Sequence, residues 1–196
     1  MASVVISGNT SGSITLSAPA VAGSSTQTLV AETGTLAPIV SGTVRTATTA
    51  FPLDFTSIPS WAKRITVMFA GASPSVSSWF IIQLGTSGGI VTTGYLGSAF
   101  ITTTSGITAM QNSTAINIYN NSASLNDILH GSVVLNLLNP ATNTWTAMGL
   151  VSKSNALVMS YVTGSISLAS ALTQVRVTSD GGTGSLDAGS INIMYE

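Results

Sequence analysis

Thr173-Gln174-Val175-Arg176-Val177-Thr178 and Ser190-Ile191-Asn192-Ile193-Met194-Tyr195 decide the fold class. In both hexapeptides apolar and polar side chains alternate with a period of two. That period sends one face to a core and the other to solvent or a neighbour. Working outward, β-branched or alternating runs predict strands at 3–7, 13–17, 27–31, 42–46, 64–70, 79–84 and 89–95. The same signal continues at 115–119, 131–138, 144–151, 156–162, 165–168, 174–178 and 190–195. Clusters of Gly, Ser, Asn and Pro at 71–78, 86–89, 139–143 and 180–184 separate them. A spacing of roughly 8–15 residues between such clusters is that of a sandwich or jelly roll. Helical periodicity is nearly absent, with single turns expected at 57–62 and 125–130. The expected fold is all-β: an extended N-terminal β arm, then an antiparallel, jelly-roll-like β-sandwich.

Charged residues are only 6% of the 196, against about 25% in an average soluble domain. Five Lys and Arg and a net charge of −1 supply neither the basic patch of a nucleic-acid binder nor a polybasic membrane anchor. With no cysteine, disulfide frameworks and thiolate metal sites are excluded. The 44% apolar content and mean hydropathy of +0.50 argue against disorder. No run approaches the roughly 18–20 apolar residues of a spanning helix. The opening Met-Ala-Ser-Val-Val-Ile-Ser-Gly lacks the basic region and long apolar core of a secretory signal. A soluble protein made in the cytoplasm is therefore expected. Ser and Thr, close to three residues in ten, provide the polar cover. Burying a hydroxyl costs far less than burying a charge, and a near-neutral chain tends to associate. The composition points to an oligomer or lattice component.

The chemistry of catalysis is poorly represented. His130 is the sole histidine and follows Asp127 by three residues, but about thirty serines make a chance Ser–His–Asp grouping inevitable. No Gly-x-Ser-x-Gly elbow leads from a strand into a helix. The acids are Glu32, Asp54, Asp127, Asp180, Asp187 and Glu196, few from which to draw a glycosidase pair about 5–9.5 Å apart. The loop from Asp180 to Asp187 carries Ca²⁺-type oxygen ligands yet lacks a closing bidentate Glu, so a hairpin turn is expected there. Gly85-Thr86-Ser87-Gly88-Gly89 has no Lys to cradle phosphate. No enzyme activity, cofactor or metal is expected. Trp61, Trp79, Tyr95, Trp145 and Tyr161 are the candidate assembly or receptor contacts, with core or inter-subunit burial as the ordinary fate of such rings. Lys63 and Arg64, adjacent on a strand, point to opposite faces, so at most one makes an intersubunit ion pair.

Composition shifts once. Residues 2–36 contain one charge, Glu32, and no aromatic residue, too little to build a core. Beyond Arg45 the aromatic residues begin. This divides the chain into an arm at 1–36 and a β-sandwich domain at 37–196. Within the arm, Gly12-Ser13-Ile14-Thr15-Leu16-Ser17-Ala18-Pro19-Ala20-Val21-Ala22-Gly23 precedes Gln27-Thr28-Leu29-Val30-Ala31-Glu32-Thr33-Gly34-Thr35-Leu36. This resembles a short β unit of many tailed-phage fibre proteins. Ile58-Pro59-Ser60-Trp61-Ala62-Lys63-Arg64-Ile65-Thr66-Val67-Met68-Phe69, Ile82-Gln83-Leu84-Gly85-Thr86 and Thr92-Thr93-Gly94-Tyr95 resemble a C-terminal module of phage fibre and virion proteins. The resemblance implies a virion component, typically a homotrimer, that binds other virion proteins and in some cases a host surface glycan or protein. Such fibres ordinarily carry a long shaft, and only arm and module are present here. A short tail fibre is the expectation, with a head fibre or capsid decoration protein as the alternative.

Overall fold

The computed structural model describes residues 3–7, 13–17, 38–118 and 127–196. The chain forms two compact units, Met1–Leu36 and Ala37–Glu196. In the first, β1 (Ser3–Ser7) and β2 (Ser13–Ser17) pair antiparallel, with Val5 opposite Thr15. The expected strand at 27–31 and most of the expected arm lie outside the described residues.

The second unit contains fourteen strands and, among the described residues, no helix. They are β3 (Val40–Ser41), β4 (Arg45–Thr46), β5 (Leu53–Phe55), β6 (Arg64–Pro74), β7 (Phe80–Thr86), β8 (Gly89–Ile90) and β9 (Leu96–Thr103). They continue as β10 (Gly106–Gln111), β11 (Ile116–Asn117), β12 (Leu129–Asn139), β13 (Thr144–Lys153), β14 (Met159–Ser167), β15 (Gln174–Ser179) and β16 (Leu186–Tyr195). The large sheet runs β10-β9-β14-β13-β12-β6-β16-β3, with β4 also on β16. The small sheet runs β11-β7-β15-β5, with β8 on β7. Every pairing is antiparallel.

Eight of these strands follow a single scheme. β4 pairs β16, β5 pairs β15, β6 pairs β12 and β7 pairs β11, so the first lies beside the last and each next beside the next from the end. Rolling up that long hairpin adds the β6–β16 and β7–β15 ladders. The result is a jelly roll in two facing sheets. Two insertions depart from it. One supplies β8, β9 and β10 between β7 and β11; the other supplies β13 and β14 between β12 and β15. The insertions meet where β14 pairs β9, and they carry the large sheet four strands beyond β12.

Alternation fills the interior. Ile65, Val67 and Phe69 of β6, Val175 and Val177 of β15, and Ile191 and Ile193 of β16 join one core cluster with Phe80, Ile82 and Leu84 of β7. β7 is buried along its whole length, the pattern of a strand covered on both faces. Gly71 is the extra residue of β6 against both neighbours, and its φ of 65° is the left-handed conformation such a bulge uses. A Cβ on Gly189, across the bulge, would lie 2.1 Å from the Gly71 carbonyl oxygen, so glycine is required there.

Several local expectations change. Of 42–46 only Arg45–Thr46 (β4) is strand, and β3 (Val40–Ser41) precedes it, both short pieces on β16. Of 89–95 only Gly89–Ile90 is strand. Segments 156–162 and 165–168 fuse into β14, because Gly164 continues the ladder opposite Ala147 and Gly97. The helical turn expected at 125–130 is overturned where it is described: Leu129 and His130 begin β12 and pair with β13. At 57–62 a turn does form, closed by the Ala62 N–H donating to the Pro59 carbonyl at 3.0 Å.

Candidate assembly surface

The insertions create the most unusual surface of the domain. On β13, Trp145, Ala147 and Val151 point inward, so Thr146, Met148 and Leu150 point outward. On β14, Ser160, Val162 and Ile166 are buried and Met159, Tyr161 and Thr163 face out. On β9, Ala99 and Ile101 are buried and Ser98 and Phe100 face out. The register aligns Ala109, Phe100, Tyr161, Leu150, Ser132 and Met68 in one row across β10, β9, β14, β13, β12 and β6. A parallel row runs Gln111, Ser98, Thr163, Met148, Val134 and Thr66.

The exposed face of an antiparallel sheet is ordinarily polar. Here Met148 is 68% exposed, Ile107 72%, Leu150 41%, and Phe100 and Tyr161 38% each. Strands β9, β10 and β14 carry no charged residue. The one charge of β13, Lys153, is turned in, paired with Asp127 at 2.7 Å with both side chains 7% exposed. Phe100 and Tyr161 stack face to face, centroids 4.6 Å apart and planes 13° from parallel. The result is a flat, hydroxyl- and thioether-rich surface with a fixed aromatic pair at its middle. Composition signals the absence of charge; Phe100, Met148, Leu150, Met159 and Ile107 emerge as surface residues only through the register.

Of the five aromatic candidates, Tyr161 alone stands on this surface. Tyr95 and Trp145 are core residues, 2% and 3% exposed, and offer no ring face to a partner or a glycan. The Tyr95 hydroxyl accepts the Leu84 N–H at 2.7 Å and donates to the Val91 carbonyl at 3.0 Å. Burial pushes its pKa up to about 12, against the opposing pull of the Leu84 hydrogen bond. Trp61 is half-buried and its ring lies 5.7 Å from that of Tyr195. Trp79, also half-buried, packs on the core at the entry to β7. Among the described residues no ring contact joins two of the five.

Several of the catalytic and cation candidates have partners within the fold. His130 Nδ1 accepts the N–H of Gly71 at 3.2 Å, satisfying the bulge's unpaired donor. Asp127 is held by Lys153. Arg64 pairs with Glu196 of its own chain. Asp54 grips Arg176 through both carboxylate oxygens at 2.7 and 2.8 Å, and that hydrogen bonding raises the arginine's pKa further. In the loop that opens at Asp180, the Ser179 hydroxyl closes a turn on Thr183, and Asp180 and Asp187 are both exposed. No group of three His, Cys, Asp or Glu that could hold a metal occurs among the described residues. In comparisons with protein-family models, curated proteins and solved structures, nothing matches the chain.

Proposed function

We propose that this chain is a non-enzymatic structural protein of a bacteriophage particle. In this reading it is a short tail-fibre-like component that docks by residues 1–36 and trimerises through its β domain. The observation that carries the reading is the outer face of β10, β9, β14 and β13, built by the two insertions, where Ile107, Phe100, Tyr161, Met148 and Leu150 are exposed and no charged side chain points outward. These four strands, about 4.8 Å apart and about eight residues long at 3.3 Å per residue, make a face of roughly 500 Å². Stable interfaces bury about 800 Å² per partner, so this face would supply the larger part of one. Exposed apolar patches of a few hundred Å² rimmed by polar residues mark interaction sites, and Ser98, Thr163 and Gln111 border the apolar side chains here. Three copies would turn these faces toward a common axis, leaving other surfaces for virion proteins and host contact.

The test is mass in solution. The chain is 19.8 kDa, and the wild type is expected to elute and sediment as a trimer. Phe100→Asp and Tyr161→Asp place a charge on the stacked pair and are expected to release folded monomer. A wild-type monomer at high concentration would sink the assembly reading. Immunogold labelling of particles then separates positions: tail label fits the fibre, and head label moves the protein to a capsid decoration or head-fibre role.

A further inference from the structure

An open sheet ends in strands whose outward N–H and C=O groups have no partner, and proteins protect such edges with short strands, charges, prolines or bulges. Three edges of this domain among the described residues are short: β3 and β11 have two residues each and β5 has three, with Asp54 charged at its centre. The fourth edge, β10, is different. It has six residues, Gly-Ile-Thr-Ala-Met-Gln, with no charge and no proline, and its ladder with β9 has no bulge. Five of its residues are exposed, including Ile107 at 72%. Thr103 and Gly106 close a two-residue turn and so form a hydrogen-bonded pair. Alternation along the ladder then directs the backbone groups of Ile107, Ala109 and Gln111 away from β9.

The same chain carries a strand pair in the complementary condition. β1 and β2 pair with each other, are five residues long and uncharged, and expose Val5 and Ile6 at 56% each. A two-stranded hairpin is marginal in water and gains stability from a third strand. We propose that the β10 edge is a strand-addition site that receives the β1–β2 hairpin of a second copy of this chain. Main-chain hydrogen bonds would supply affinity, and the length match of five residues to six sets the overlap. A hairpin-to-edge contact joins two different surfaces, so it is heterologous and is compatible with a closed ring of three copies. The inference rests on the assembly reading and names the joint that closes it.

Two experiments test it in the full-length protein. Ala109→Pro removes an outward N–H that β9 does not use, a replacement that edge strands tolerate. It is expected to keep the folded circular dichroism spectrum and cooperative melting, with the melting temperature lowered only by the lost association, while abolishing the trimer. A folded Ala109→Pro protein that remains trimeric overturns the inference and leaves the assembly reading standing; a monomeric wild type overturns both. The cysteine-free sequence also permits unambiguous cross-linking. Copies bearing Ala109→Cys, co-expressed with differently tagged copies bearing Val5→Cys or Thr15→Cys, are expected to form mixed disulfides. Disulfides only between two Ala109→Cys copies would indicate β10–β10 pairing. In a chain carrying both Ala109→Cys and Val5→Cys, an intrachain link alone would indicate that the chain's own hairpin docks there. Either outcome, or no cross-link, overturns the inference.

Discussion

Replacing Tyr95 by Phe removes one oxygen and nothing else from the core, so its effect can be worked out from two directions. The hydroxyl is the acceptor for the N–H of Leu84, a residue with no exposed surface. A buried donor left without a partner costs about 1–3 kcal/mol. The Val91 carbonyl, at a half-buried residue, can be rehydrated and adds little. The second direction is ionisation. The phenol's pKa rises from 10.0 to about 12 on folding. Two units at 1.36 kcal/mol each mean that keeping the buried hydroxyl neutral costs the folded state about 2–3 kcal/mol of relative stability once the unfolded chain ionises. Because the folded pKa is the higher one, that stability is fully present below pH 10 and is lost as pH rises toward 12. Urea unfolding at fixed protein concentration should find Tyr95→Phe about 2 kcal/mol less stable at pH 7. A series from pH 8 to 12 should find the wild-type and variant curves converging near pH 12. A variant as stable as wild type at pH 7, or a constant gap across the series, would refute the reasoning.

Other substitutions probe separate parts of the sandwich. Asp127→Asn leaves the Lys153 charge buried without its carboxylate and should cost about 3–5 kcal/mol in denaturant unfolding. Much of that loss should return in Asp127→Leu combined with Lys153→Met. Ile82→Ala, at the centre of β7 with no exposed surface, should cost about 2–5 kcal/mol. Leu157→Ala, at a residue 81% exposed, should stay within about 0.5 kcal/mol in the same denaturant unfolding. Arg176→Gln breaks a two-pronged but partly exposed pair with Asp54, so its cost should stay below about 1 kcal/mol and shrink further in 1 M salt.

The all-β class was legible because β15 and β16 bury alternate side chains, and a two-residue period is a local property of the strand. The turns at 57–62 and after β15 were legible for the same reason, since Gly, Pro, Ser and Asp act on their own backbone. The β9–β10 hairpin left no such trace. Phe100 faces outward beside inward Ala99 and Ile101, so Ser98 through Thr102 reads as a short apolar run without a period. β7 hides its alternation likewise, being buried on both faces. A strand that is apolar on both sides carries no pattern from which its inside can be told.

The five aromatic candidates mark the boundary between the two kinds of information. The sequence alone determined that the chain is β-rich, nearly uncharged and poor in the acids and bases that catalysis uses, all properties of residues counted or taken in short windows. It did not determine that Tyr95 and Trp145 belong to the core while Tyr161 stacks on Phe100 in the open. That division depends on β14 pairing with β9 across some sixty residues of chain, and on which face of the extended sheet the small sheet covers. Period-two alternation says that a strand has two sides. Only the assembled sheets decide which side meets the core and which is left to meet something else.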